Sequence, residues 1–415
     1  MKLFFPFVIP NPASIFDVVR FYQRATNLYG MTFYTFSELL RGKQNIRVTT
    51  VQILNFVRLI LLELAVAVIY SQITLSSHSK GSYVLTIGPR FILVLSAVSL
   101  VVISLIDAFK FRLAVEIFQK IHAVDERLHL LKVDSGHAQQ QNTLIKVSLF
   151  IVLVSLILHV ITTLSFIIDI RDVRFVLLVT VCSFVFNTSL TLTFGNYLIR
   201  SYLIATRFQL VNQVFSARFD ISSRRQFLLT KELPLNRSND LELVGKLADI
   251  HADLSDTVDL LGEIYWVQTN LIMVNVIGTA TFSFFSMFRS LLNGEGYLFS
   301  HSTGTNLWGL FYLTMLVTLL VQSFLLGWYA NRTTVLIYKA LNNTKNERLV
   351  QSLRYFARQI QDRPVVARFK TFDGSLQVLL SIMGTIGTYL VILFQFDDMI
   401  KVATKDNAQL ATSTN

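Results

Sequence analysis

Apolar residues gather into seven runs of roughly 20 residues, the length that crosses a bilayer, separated by stretches dense in charge. The runs cover residues 52–73, 86–108, 146–168, 175–199, 267–288, 307–329 and 376–396. They predict seven transmembrane helices, because a lipid-exposed backbone must satisfy its own hydrogen bonds. Beyond the fourth run the apolar positions become periodic. Ile204, Phe208, Val211, Phe215 and Phe219 recur three and four apart. Before the fifth run, Leu243, Leu247, Ile250, Leu254, Thr257, Leu261 and Ile264 form a heptad-like seam, with Asp249, Asp253, Asp256, Asp259 and Glu263 on the other faces. Leu349, Leu353, Phe356 and Ile360 repeat the theme before the seventh. These patterns predict helices that run on past the membrane and pack as a bundle, within one subunit or between subunits. With no internal repeat and no long linker, residues 1–415 read as a single domain.

Composition agrees with an all-α membrane protein. Hydrophobic residues make up 53% of the chain and charged residues 15%, against about 25% charged in soluble domains. Only 6 prolines interrupt it, which favours long helices. The single cysteine, Cys182, excludes an intrachain disulfide and reads as a small buried hydrophobe. The opening residues 2–10 imitate a signal peptide, but Pro6 and Pro10 break the apolar core and no cleavage site follows, so that reading is rejected.

Lys and Arg decide the expected orientation. From the N-terminal region through successive loops to the tail, with Arg90 and Lys146 at the run ends counted with the loops, they number 6, 2, 6, 2, 8, 1, 9 and 2, and Arg58 inside the first run is left out. That places 29 on one side and 7 on the other. The N-terminus is therefore expected in the cytosol and the C-terminus outside, with the helical extensions forming a cytosolic anchor bundle. The net charge of +11 is thus a topological signal, and no nucleic-acid partner is inferred.

Polar residues at membrane depth are candidates for function. Glu63 lies near the middle of the first run, where an acid costs roughly 2.5–3.5 kcal/mol unless paired or protonated. It is a candidate for a ligand pocket, the alternative being a structural ion pair or a hydrogen bond between helices. Arg58, five positions earlier, does not share its helical face. His159 reads first as a core histidine, and Asn187, Asn275 and Gln322 as links between helices. Tyr70, Tyr83, Tyr297, Trp308 and Tyr312 cluster toward the expected outer ends, as an aromatic belt or as rings that stack on planar ligands. Glu63, His159, Tyr83, Trp308 and Tyr312 form the candidate pocket set. Asp169 and Asp172 offer acidic charge in the tight third loop. Enzyme chemistry finds no support: no phosphate-cradling glycine motif, nucleophile elbow or paired-cysteine site occurs, and no cofactor is implied. His122, Asp125 and His129 share a helical face but are weak metal-ligand spacing.

The last run ends Thr388-Tyr389-Leu390-Val391-Ile392-Leu393-Phe394-Gln395-Phe396. Thr388, Ile392 and Gln395 share one stripe, while Tyr389, Leu393 and Phe396 share its neighbour. Gly384 and Gly387, just before, permit close helix approach or a hinge. This Thr-Tyr, five apolar residues, Gln-Phe pattern resembles the signature closing the last helix of insect gustatory receptors, and the expected topology resembles theirs over the rest of the chain. The resemblance implies a tetrameric ligand-gated cation channel in the plasma membrane of sensory neurons, of one or several related subunits. Each subunit would contribute its last helix to a central pore, and a small-molecule tastant would bind among the first six helices. Carried over by position, Gln395, Phe396 and Ile392 would line the gate, four Phe396 rings blocking ions by dewetting. Alternatively Gln395 hydrogen-bonds a neighbouring helix and Phe396 is packing. Thr388 and Tyr389 are expected to fasten the pore helix to its neighbour. Sugar-receptor relatives place an acid just after the Thr-Tyr pair, where this chain has Leu390, which tilts the ligand toward bitter or aversive compounds. Two other readings compete. A G-protein-coupled receptor predicts an external N-terminus and an outer disulfide; a secondary transporter predicts repeated halves and broken helices.

Overall fold

A computed structural model describes residues 12–31, 50–72, 83–169, 173–219, 240–292 and 301–413. The opening residues 2–10, Asp172 and Tyr297 lie outside the described residues. Tyr70, Tyr83 and Asp169 fall in helices, but their side chains also lie outside them.

Among the described residues the regular structure is helical: α1 (Ile15–Tyr29), α2 (Thr50–Gln72), α3 (Tyr83–Leu130), α4 (His137–Asp169), α5 (Val173–Arg218), α6 (Asp240–Leu292), α7 (His301–Asn343), α8 (Glu347–Asp362) and α9 (Leu376–Ser413). Six of these are long and apolar enough to cross a membrane, and the first expected span falls on α2. Each expected span falls on one helix, the first as far as Gln72. Several helices are far longer than a bilayer needs: α3 has 48 residues, α5 46 and α6 53. At 1.5 Å per residue, α6 extends about 80 Å.

The extensions pack on one another within the subunit. Leu247, Ile250, Leu254, Thr257, Leu261 and Ile264 are all buried, as are Ile204, Phe208, Val211 and Phe215 opposite them. On α8 one stripe, Leu349, Leu353, Phe356 and Ile360, is buried, and Asn346 caps the helix by accepting from Arg348 N at 3.1 Å. Each large apolar side chain so buried contributes about 1.5–3 kcal/mol. Ion pairs tie the polar faces: Arg127 with Asp253, and Arg363 with both Asp256 and Asp259.

Helix α1, which precedes the first apolar run, packs on the apolar stretch of another helix. Tyr22 donates to Leu192 O at 2.8 Å and Tyr29 to Val185 O at 2.7 Å, so α1 runs antiparallel beside the apolar stretch of α5. Its carbonyl end is received by α2, where Asn55 donates to Asn27 O and Arg58 to Leu28 O. The chain then turns at Gly30 (φ 105°), pressed so closely on Asn55 that a Cβ would lie 2.5 Å from its carbonyl oxygen. One-sided apolarity over 15 residues escapes a hydropathy reading.

Candidate functional site

Among the six described helices long and apolar enough to cross a membrane, the last is the least covered. Only 11% of its most apolar window is buried, against 50% for α7. One stripe, Ile382, Ile386, Leu390, Phe394 and Asp397, faces α6 and its neighbours. Phe394 packs on Phe285 with ring centroids 4.9 Å apart. Asp397 sits 3.4 Å from Arg289 Nε, both side chains buried, although that nitrogen lacks hydrogen-bond alignment. Sequence reasoning counted Arg289 as a loop charge and overlooked Asp397.

Gln395, Phe396 and Ile392 turn away from the subunit and are exposed. So are Thr388 and Tyr389, the latter 53%. Within one subunit neither side chain is buried by another helix among the described residues. Thr388 donates to Gly384 O of its own helix. At Gly384 and Gly387 an added Cβ would meet open space, so neither is required by a close approach inside the subunit.

Three of the pocket residues come together between α4, α5 and α7. The His159 ring lies 4.9 Å from Trp308 and 5.1 Å from Phe184, and Tyr312 and Phe311 flank Trp308 at 5.5 and 5.4 Å. Trp308 Nε1 donates to Thr162 Oγ1 at 3.0 Å, and the Tyr312 hydroxyl donates to Asn187. His159 Nε2 is buried with no hydrogen-bond partner. Phe184, Phe311 and Thr162 carry no distinguishing sequence signal and emerge only from packing.

Glu63 does not join this group. Its Oε1 accepts from Ser104 at 3.0 Å and Ser189 at 3.2 Å, while Oε2 has no partner. Ser189 lies two positions from Asn187, about 200° around the helix, so the acid and the aromatic group occupy opposite faces of α5. Glu63 thus links α2, α3 and α5. Of the other polar residues, Asn275 does link helices, accepting from Ser96 at 2.7 Å.

His122, Asp125 and His129 line one cavity, but the fold gives them different partners. Asp125 turns inward to receive Arg207 at 2.7 and 3.0 Å and His137 at 3.1 Å, and Arg207, fully buried, also reaches Gln140. Burial pushes the Asp125 carboxyl up, but Arg207 and His137 outweigh it and hold it below the usual carboxylate range. His122 faces Phe16 and Glu126 instead. Nearby, on the extension of α6, His251 is sealed between Phe208 and Phe356 and donates to Ala330 O at 3.1 Å. Burial pushes its imidazole from 6.5 down to about 4.

The family model described as 7tm Chemosensory receptor matches residues 19–400. The fold is similar to that of the insect olfactory receptor OR5 from Machilis hrabei in complex with eugenol, with a TM-score of 0.56 and 12% identity over 92% of this chain and 97% of that one. Another structure of the same receptor gives a TM-score of 0.52 at 12% identity, over 92% of this chain and 100% of that one. At this identity the likeness establishes the fold alone. No curated protein matches the sequence.

Proposed function

The chain belongs to the 7tm chemosensory receptor family, and from that premise we propose that it is a gustatory receptor acting as a ligand-gated, non-selective cation channel. The observation that carries this reading is the uncovered face of α9, which presents Ile392, Gln395 and Phe396 together. A face left uncovered by the described residues of its own subunit fits a helix completed by copies of itself around an axis. In a tetramer, four Phe396 rings would close a dewetted constriction, and four Gln395 amides would offer oxygens to cations once the helices turn. The positive-side excess favours an outer position for these residues.

The ligand site is the group around His159, Trp308 and Tyr312. Its rings suit a planar apolar molecule, and the unpartnered His159 Nε2 supplies one polar contact. The Machilis hrabei receptor, similar in fold, is described in complex with eugenol, which supports a small-molecule ligand here. With Leu390 in place of an acid, bitter or aversive compounds are favoured over sugars. Such a ligand opens the pore by binding the open state more tightly.

The test is cation flux through reconstituted protein, challenged with alkaloids, sugars and amino acids. Gln395→Ala and Phe396→Ala should alter conductance, selectivity or resting leak; unchanged currents would remove both residues from the gate. An N-terminal epitope labelled in intact cells would overturn the topology and favour a G-protein-coupled receptor.

A further inference from the structure

Two lysines from distant parts of the chain converge on one indole. Lys370 Nζ lies 4.6 Å and Lys110 Nζ 6.0 Å from the centre of the Trp266 ring. Lys110 follows the apolar stretch of α3, Trp266 precedes that of α6, and Lys370 stands in the linker leading into α9. All three therefore lie at one membrane boundary, where tryptophan is preferred.

The linker is built to hold Lys370 there. Thr371 N donates to Phe369 O at 2.6 Å, closing a γ-turn around Lys370, whose φ is 59°. A non-glycine residue with this backbone is strained, and such strain gathers at functional sites. The turn is stapled to α6, since Asn270 donates to Phe369 O and accepts from Thr371. Phe369 is fully buried against Tyr197 and Phe372. At Gly262 a Cβ would meet Arg368 O at 2.3 Å, so only glycine lets the linker lie this close.

The charges are incompletely balanced. Lys110 donates to the backbone carbonyl of Glu263 at 2.6 Å, and the exposed Glu263 carboxylate is the acid that acts on it most closely. Asp373 contacts Arg368 at 4.0 Å. Burial, the largest cause, lowers the Lys110 ammonium below its usual range; Glu263 raises it, and Lys370 pushes it down again. Two like charges thus face each other, with Glu263 the acid that acts on Lys110.

We propose that Lys110, Lys370 and Trp266 form a site for the phosphate of an anionic lipid headgroup in the inner leaflet. The site rests on the orientation given by Lys and Arg, because that leaflet carries the anionic lipids, and does not depend on the channel reading. The two ammoniums hold the phosphate, and the indole seats at headgroup level. A bound headgroup ties α3, α6 and the root of α9 together, so membrane composition acts on the last helix.

The test uses the full chain in nanodiscs of phosphatidylcholine, with and without phosphatidylinositol bisphosphate. The lipid should raise the melting temperature by about 2 °C. K110Q/K370Q should abolish the rise, E263Q should enlarge it, and K370G, which relieves the strained turn, should stay folded in phosphatidylcholine yet respond less. A rise that persists in K110Q/K370Q, or no rise in the parent, overturns the site. An equal rise with soluble inositol trisphosphate over phosphatidylcholine overturns the lipid as its source. Failure of the channel reading appears separately, as absent ligand-evoked flux with the melting shift intact.

Discussion

Arg289 and Asp397 form a buried ion pair one residue beyond Phe396, fastening the middle of α9 to α6 on the face opposite the exposed motif residues. Phe285 and Phe394, one turn earlier on each helix, make the second fastening. Together they fix the rotation of α9, and thereby decide that Gln395 and Phe396 point away from the subunit.

Removing one partner strands a buried charge. Asp397→Asn or Arg289→Gln should cost on the order of 3 kcal/mol, read as a lower melting temperature with raised resting leak. The reversed pair R289D/D397R should recover a large part of both; no recovery would mean the pairing itself is unimportant.

Tyr389 is exposed within the subunit, so Tyr389→Ala should change subunit stability by no more than about 0.5 kcal/mol. It should nevertheless reduce the tetramer fraction seen by mass photometry. An undiminished fraction would place Tyr389 against lipid.

His251 makes stability depend on pH. Its folded pKa, about 4, lies below the ordinary 6.5, so the unfolded chain binds more protons between those values. The associated stability is present above about pH 6.5 and is lost as pH falls toward 4, on the order of 3 kcal/mol in all. His251→Leu should flatten melting temperature between pH 7 and 5; an unaltered slope assigns the acid sensitivity elsewhere.

His159→Phe keeps the ring packing around Trp308 and removes the unpartnered nitrogen. The half-effective concentration of an activating ligand should rise about tenfold, near 1.4 kcal/mol, at unchanged surface expression. An identical dose–response curve would move the ligand site away from His159.

The helices were legible because the membrane imposes one coarse rule on every lipid-facing residue, and the seven runs record it. The extensions were legible for a different reason: Leu247, Ile250, Leu254 and Leu261 obey a helical period that a bundle must bury. Arg207 shows where the reading failed. Counted only as a positive loop charge, it is fully buried on Asp125 and Gln140, because two other helices supply its partners. Glu63 shows the same limit: its depth was plain, but its rotation toward Ser104 and Ser189 was not.

By itself the sequence determined the all-helical class, the number and positions of the long helices, the bundle beyond the membrane and the motif on the last helix. These follow from burial along one dimension, which a linear pattern encodes. Only the tertiary structure decided which face of each helix meets which neighbour. It set His159 beside Trp308, kept Glu63 on the other side of α5, drew Lys110 and Lys370 to Trp266, and turned Gln395 and Phe396 outward. Those outcomes depend on rotation and packing between helices distant in sequence, and no local period records them.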